Sequence, residues 1–109
     1  MNVEREDHGS AAVLVVTGQV DMHTSPELRR HLRGVLEGRR SPVVTDLTEV
    51  SFIDSSGLAT LIDALKEVSR YGGKLRLVGL TPTVMNLFEL SHLTTIFQIF
   101  DSREEALEA

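Results

Sequence analysis

Two kinds of apolar pattern alternate along this chain, and residues 43–68 show both. Val43-Val44-Thr45-Asp46-Leu47 is an almost continuous apolar, β-branched run, as expected of a strand with neighbours on its flanks. Leu58, Leu61, Ile62, Leu65 and Val68 then recur at helical spacing. Strands that pass into helices through short loops require a mainly parallel sheet with right-handed crossovers, because a parallel neighbour needs a connection long enough to return the chain.

The same reading extends in both directions. Ala12 to Thr17 is a β-rich run, and the turn residues Asp7-His8-Gly9-Ser10 allow Asn2 to Glu6 to pair with it as a hairpin. Thr24-Ser25-Pro26-Glu27 has the form of a capping box, opening a helix with Leu28, Leu32, Val35 and Leu36 inward until Gly38. Tyr71-Gly72-Gly73 stops the central helix, and Lys74 to Gly79 alternates polar and apolar as a further strand. Thr81-Pro82 opens a short helix with Val84, Leu87 and Phe88 inward, Ile96 to Phe100 forms a last strand, and Asp101 to Glu105 starts a terminal helix. The expected fold is a single α/β domain over residues 1–109, with a mixed, mostly parallel sheet of four to five strands, about four helices and the order ββαβαβαβα.

Composition narrows the function classes. With no cysteine, disulfides, thiolate metal sites and cysteine nucleophiles are excluded. With Glu4, Arg5, Glu6 and Asp7 the first ten residues do not read as a secretory signal, and no apolar stretch reaches the roughly 18 residues of a membrane span, so a cytoplasmic protein without membrane contact is expected. A formal net charge of −5 argues against nucleic acid as a partner. The densest basic patch, Arg29-Arg30, Arg33 and Arg39-Arg40, reads as the solvated face of an amphipathic helix.

Nothing local suggests catalysis or a metal. The four histidines lack ligand spacing, no serine sits in a Gly-x-Ser-x-Gly elbow, and Gly72-Gly73 ends a helix where a phosphate-cradling loop would begin one. Asp46 and Asp54, with Asp21 nearby, allow a magnesium cluster like that of a two-component receiver, but the first confident strand ends in Thr17-Gly18 without adjacent acids. No enzyme activity and no cofactor are expected.

The informative segment is Ser51-Phe52-Ile53-Asp54-Ser55-Ser56-Gly57-Leu58. A helix start needs one capping residue, yet Asp54, Ser55 and Ser56 stand together beside a glycine that permits close approach. Hydroxyls at the open end of a helix face solvent, where they are available for modification.

These residues carry a resemblance. Residues 43–58 follow, almost position by position, the strand, Asp-Ser-Ser-Gly-Leu loop and helix of the STAS-domain anti-sigma factor antagonists of bacteria, which the chain resembles over nearly its full length. Gly18-Gln19-Val20-Asp21 resembles the family's Gly-Glu-Leu-Asp turn, with Gln19 for the usual glutamate, and Ala59 stands where glycine commonly follows the leucine. The resemblance implies phosphorylation at Ser55 and partner contacts at Asp21, Asp54, Ser56, Gly57 and Leu58. It also implies partner switching in transcription regulation: the dephosphorylated form binds an anti-sigma factor that is an ATP-binding serine/threonine kinase of the histidine-kinase-like ATPase fold, releasing a sigma factor. Phosphorylation of Ser55 ends the binding, and a separate metal-dependent serine phosphatase resets it. A monomer or weak dimer is expected, with Ser56 a conceivable secondary acceptor. The alternative is a STAS module that is never phosphorylated and serves as scaffold or subunit of a larger complex.

Overall fold

A computed structural model describes all residues, Met1 to Ala109. Five strands and four helices follow in the expected order: β1 (Asn2–His8), β2 (Ala11–Val20), α1 (Ser25–Glu37), β3 (Val43–Ile53), α2 (Ser55–Arg70), β4 (Leu75–Val78), α3 (Pro82–Leu90), β5 (Gln98–Phe100) and α4 (Arg103–Glu108). The strands lie in one sheet in chain order, with β1 antiparallel to β2 and every later pair parallel.

That monotonic order decides where the helices go. Each crossover from β2 onward steps to the next neighbour in the same direction, so right-handed connections put α1, α2 and α3 on one face. Their inward residues, among them Leu28, Leu32, Val35, Leu61, Val68, Val84 and Phe88, share one core with Val16, Val43, Leu47 and Leu77 of the sheet. Only α4 covers the opposite face, where Val13, Val44, Val78 and Ala106 form a small second cluster.

Several local expectations change. The β1 strand runs on to His8, because the hairpin closes through Gly9-Ser10. The alternating pattern of β4 suggested one wet face, yet all four residues are buried. Arg76 is accommodated under α4, where Nη1 donates to the Ala106 carbonyl at 2.9 Å and Nε to Gln98 Oε1 at 3.1 Å. The last strand begins at Gln98, since Phe97 turns into the core edge-on to Phe88 with ring centroids 5.6 Å apart. The capping box does not form: the Thr24 hydroxyl instead donates to the Gln19 carbonyl (2.8 Å) and accepts from the Asp21 amide (2.9 Å), while Glu27 pairs with Arg30.

The most consequential difference is in β3, which extends to Ile53 and absorbs Ser51, Phe52 and Ile53 from the expected loop. Its pairing with β2 slips twice, between Val15/Thr17 and between Gly18/Gln19, so that β3 holds two residues more than its neighbour across the same stretch. Bulges of this kind bend a strand and re-aim its side chains. Beyond Leu47 the strand's side chains no longer alternate: Thr48 and Glu49 are exposed, Val50 is buried, Ser51 and Phe52 are exposed, and Ile53 is buried.

Candidate functional site

The carboxyl ends of β2 and β3 lie side by side, and the Asp54 amide donates to the Val20 carbonyl at 3.0 Å. The two loops leaving them, residues 21–24 and Asp54, therefore form one surface. Gly57 makes that approach possible. A Cβ there would stand 2.7 Å from Ile53 Cγ2 and 2.9 Å from Val20 Cγ1, closer than carbon atoms pack, so the first turn of α2 nests against both strand ends only without a side chain.

Asp54 is the N-cap of α2. Its Oδ1 accepts from the Ser56 amide (2.9 Å), the Gly57 amide (3.2 Å) and the Ser56 hydroxyl (2.5 Å), satisfying helix donors that have no partner within the helix. The Ser56 hydroxyl foremost, and then the Gly57, Ser56 and Met22 backbone N–H groups, hold the Asp54 carboxyl below the usual carboxylate range. Asp21 is the corresponding anchor of the neighbouring turn. Its Oδ1 accepts from the His23 amide (2.9 Å) and the Thr24 amide (3.1 Å), and these bonds lower its pKa as well.

The three loop residues thus divide their roles. Asp54 caps, and the half-buried Ser56 is committed to Asp54. Ser55, the first residue of α2, is exposed, and its hydroxyl makes no such bond. Gly57 and Leu58, both expected at a partner face, are buried. Any part they take in binding runs through the shape they give the loop. Asp46 lies apart, in the middle of β3 beneath α4, and Arg103 Nε donates to its Oδ2 at 2.6 Å, so Asp46 does not join Asp54 and Asp21. No group of three or more histidine, aspartate or glutamate side chains converges as a metal site.

Residues not singled out from the sequence complete the surface. Met22, in the turn beside Asp54, is 70% exposed, Phe52 on the bulged end of β3 44%, and Leu90 at the end of α3 71%. Phe52 and Leu90 line a shallow apolar groove of about 230 Å³ with Ile53, Val84 and Leu87. Leu90 had a detectable signal, because it falls about 200° around the helix from Phe88 and so off the inward stripe. Phe52 had none, since its direction comes from the bulge.

The STAS domain family model matches residues 2–106. An anti-sigma F factor antagonist of Paenibacillus polymyxa is 29% identical over 98% of this chain and 92% of its own length. An anti-sigma-B factor antagonist of Listeria monocytogenes is 34% identical over 79% of this chain and 75% of its own. The crystal structure of an anti-sigma factor antagonist from Mycobacterium paratuberculosis superposes with a TM-score of 0.90 at 27% identity, covering 98% of this chain and 91% of that one. No helix is long and apolar enough to cross a membrane. A family match over nearly the whole length, on a fold with this strand order and this capped serine loop, places the chain in the STAS domain family, and by homology it stands with the bacterial anti-sigma factor antagonists.

Proposed function

We propose that this chain is a cytoplasmic partner-switching protein whose unphosphorylated form binds an anti-sigma factor, an ATP-dependent serine kinase of the histidine-kinase-like ATPase fold, and so releases a sigma factor. The kinase then phosphorylates Ser55 and dissociates, and a separate metal-dependent phosphatase restores the hydroxyl. The chain is substrate and ligand, without turnover of its own.

One observation carries this reading: of the two adjacent serines at the start of α2, only Ser55 has an exposed, uncommitted hydroxyl, and exposed apolar side chains lie on the segments that lead to it, Phe52 three residues before it and Met22 in the turn against Asp54, with Leu90 sharing a groove with Phe52. Apolar contacts around a central polar group exclude water from it, which suits tight docking. Phosphate brings about −1.5 to −2 charges at neutral pH. Placed beside Asp54 in a chain already at −5, that charge makes the docked state repulsive and its desolvation unfavourable. The helix N-terminus tolerates the same anion, so the fold survives the modification. A loss of roughly 3–4 kcal/mol, a factor of several hundred, suffices to release a micromolar complex.

The test is incubation with the cognate kinase and ATP, followed by intact mass and fragment mapping. A single added phosphate on Ser55 is expected; phosphate only on Ser56, or none, refutes the assignment. Ser55→Ala should bind the kinase without release and Ser55→Asp should bind weakly, with both variants folded.

A further inference from the structure

The basic residues of α1 do not simply face solvent. Arg29, Arg33 and Arg39 form one wall of a groove of about 660 Å³ between α1 and α2, and Lys66 and Arg70 stand on the other. Five of the chain's eleven cationic side chains thus meet in one concave region of a protein whose net charge is −5. Two are neutralised within the groove: Arg29 pairs with Asp63 at 2.8 Å, and Arg70 pairs with Glu67. Arg33, Arg39 and Lys66 have no carboxylate partner, and Glu37 is the one acid of the lining left unpaired.

Arg39 is held in an unusual way. Its φ of +52° is the left-handed conformation, which costs a non-glycine residue about 1–2 kcal/mol, and it sets the guanidinium 5.7 Å from the centre of the Tyr71 ring. The ring is fixed in turn, because the Tyr71 hydroxyl donates to the Arg40 carbonyl at 2.7 Å. A cation is therefore pre-positioned at one end of the groove by the left-handed turn that ends α1, in which the Arg39 and Arg40 amides donate to the Leu36 and Val35 carbonyls.

We infer that the groove between α1 and α2 is a second docking surface, separate from the Ser55 loop, and that it takes an extended acidic segment of a partner protein in which carboxylates alternate with apolar residues. The spacing favours such an occupant over a compact anion. Arg29 to Arg33 and Lys66 to Arg70 are each four helical residues apart, about 6 Å along the axis, and the ion pairs of Arg29 and Arg70 are exposed and weak enough to be exchanged for a ligand carboxylate. Alternate side chains of an extended strand repeat at about 6.6 Å. The cations line two walls and do not converge on one point, and the half-buried Leu36 is in place between them to receive an apolar side chain. The negative charge of the rest of the chain disfavours a long polyanion such as nucleic acid. Thr60, the lining residue of α2 nearest Ser55, is five residues beyond it, about 7.5 Å along the axis, whereas the unpaired Lys66 is eleven residues beyond, about 16 Å, so a segment held at Arg33, Arg39 and Lys66 leaves the Ser55 loop open.

The experiment is a titration of the isotopically labelled full chain with a synthetic peptide of about eight residues, glutamate alternating with leucine and serine, followed by amide chemical shifts at low salt. Shifts are expected along residues 33–39 and 64–71, with affinity falling as salt rises. The Arg33→Glu/Lys66→Glu variant should lose about tenfold or more in affinity and the milder Arg33→Gln/Lys66→Gln variant about threefold or more, with melting temperatures showing both folded. Ser55→Asp should bind the peptide as the parent does, which keeps this result distinct from the fate of the phosphorylation switch. Absent shifts at millimolar peptide, shifts confined to the Ser55 loop, or unchanged affinity in the glutamate variant overturn the proposal. So does equal binding of a peptide with its glutamates in one block, or displacement by an equal concentration of pyrophosphate, which would assign the groove to a small anion.

Discussion

The Ser56 hydroxyl donates to Asp54 Oδ1 at 2.5 Å, and this bond separates two serines that are chemically identical in the sequence. A kinase must take a hydroxyl free to act as nucleophile. Ser56 is engaged by the helix cap and half-buried, whereas Ser55 is neither. Ser56→Ala is therefore expected to accept phosphate on Ser55 at a rate within a few-fold of the parent, while Ser55→Ala accepts none. Time courses by intact mass check both.

Removing the apolar rim should separate binding from folding. Leu90→Ser replaces a largely exposed side chain, so its unfolding free energy should stay within about 1 kcal/mol of the parent, while Phe52→Ser, at a side chain more than half-buried, should lose about 1–3 kcal/mol and still fold. Each should weaken the kinase complex about tenfold, the loss expected of an apolar anchor at a docking face. Urea denaturation and a binding titration on the same samples measure the two effects.

Gly57→Ala tests the close approach of α2 to the ends of β2 and β3. The helix gains about 1 kcal/mol in propensity, but the methyl group overlaps Ile53 and Val20, and overpacking of this kind costs about 1–3 kcal/mol. A net loss of up to about 2 kcal/mol is expected, together with slower phosphorylation as the Ser55 turn moves. Urea midpoints and kinase assays report these outcomes.

Arg103→Ala should loosen α4. Arg103 donates to the Asp46 carboxylate, whose side chain is only 7% exposed, while the arginine itself is 38% exposed and also reaches Glu6 at 3.5 Å. Allowing for that exposure, the variant should lose about 1–3 kcal/mol at neutral pH. Burial raises the Asp46 pKa, but the Thr48 hydroxyl and Arg103 outweigh it, and the net direction is downward. A folded-state pKa below the unfolded value stabilises the protein above the ordinary carboxylate range, and this contribution is lost as pH falls through the lowered folded value. The difference between parent and variant should accordingly shrink below about pH 4, which urea titrations at several pH values would record.

Thr45→Val should stabilise the protein. Thr45 is fully buried in β3, and its hydroxyl has no hydrogen-bond partner. An unsatisfied buried group costs about 1–3 kcal/mol, and valine replaces it with a methyl of similar shape and good strand propensity. A rise of about 1 kcal/mol in unfolding free energy is expected by urea denaturation.

Much of this was legible without coordinates. The order of elements followed from hydrophobic period and turn chemistry, which are properties of neighbouring residues. The serine loop was legible for the same reason, as capping depends on residues three or four apart. The capping box at Thr24 was not: Gln19 offered its carbonyl and Asp21 its amide from the end of β2, and the threonine hydroxyl went to them. Arg76 looked like the wet side of β4 because its cover, α4, arrives thirty residues later in the chain.

By itself the sequence determined one α/β domain of alternating strands and helices, with a cluster of cap-forming residues at the start of the central helix, since each of these depends on local pattern. Only the tertiary structure decided that three helices share a face, that two slips of register turn Phe52 outward at the end of β3, and that cations of two helices meet in a groove. These are consequences of which strands pair and in what register, and pairing is fixed by contacts between residues far apart in the chain.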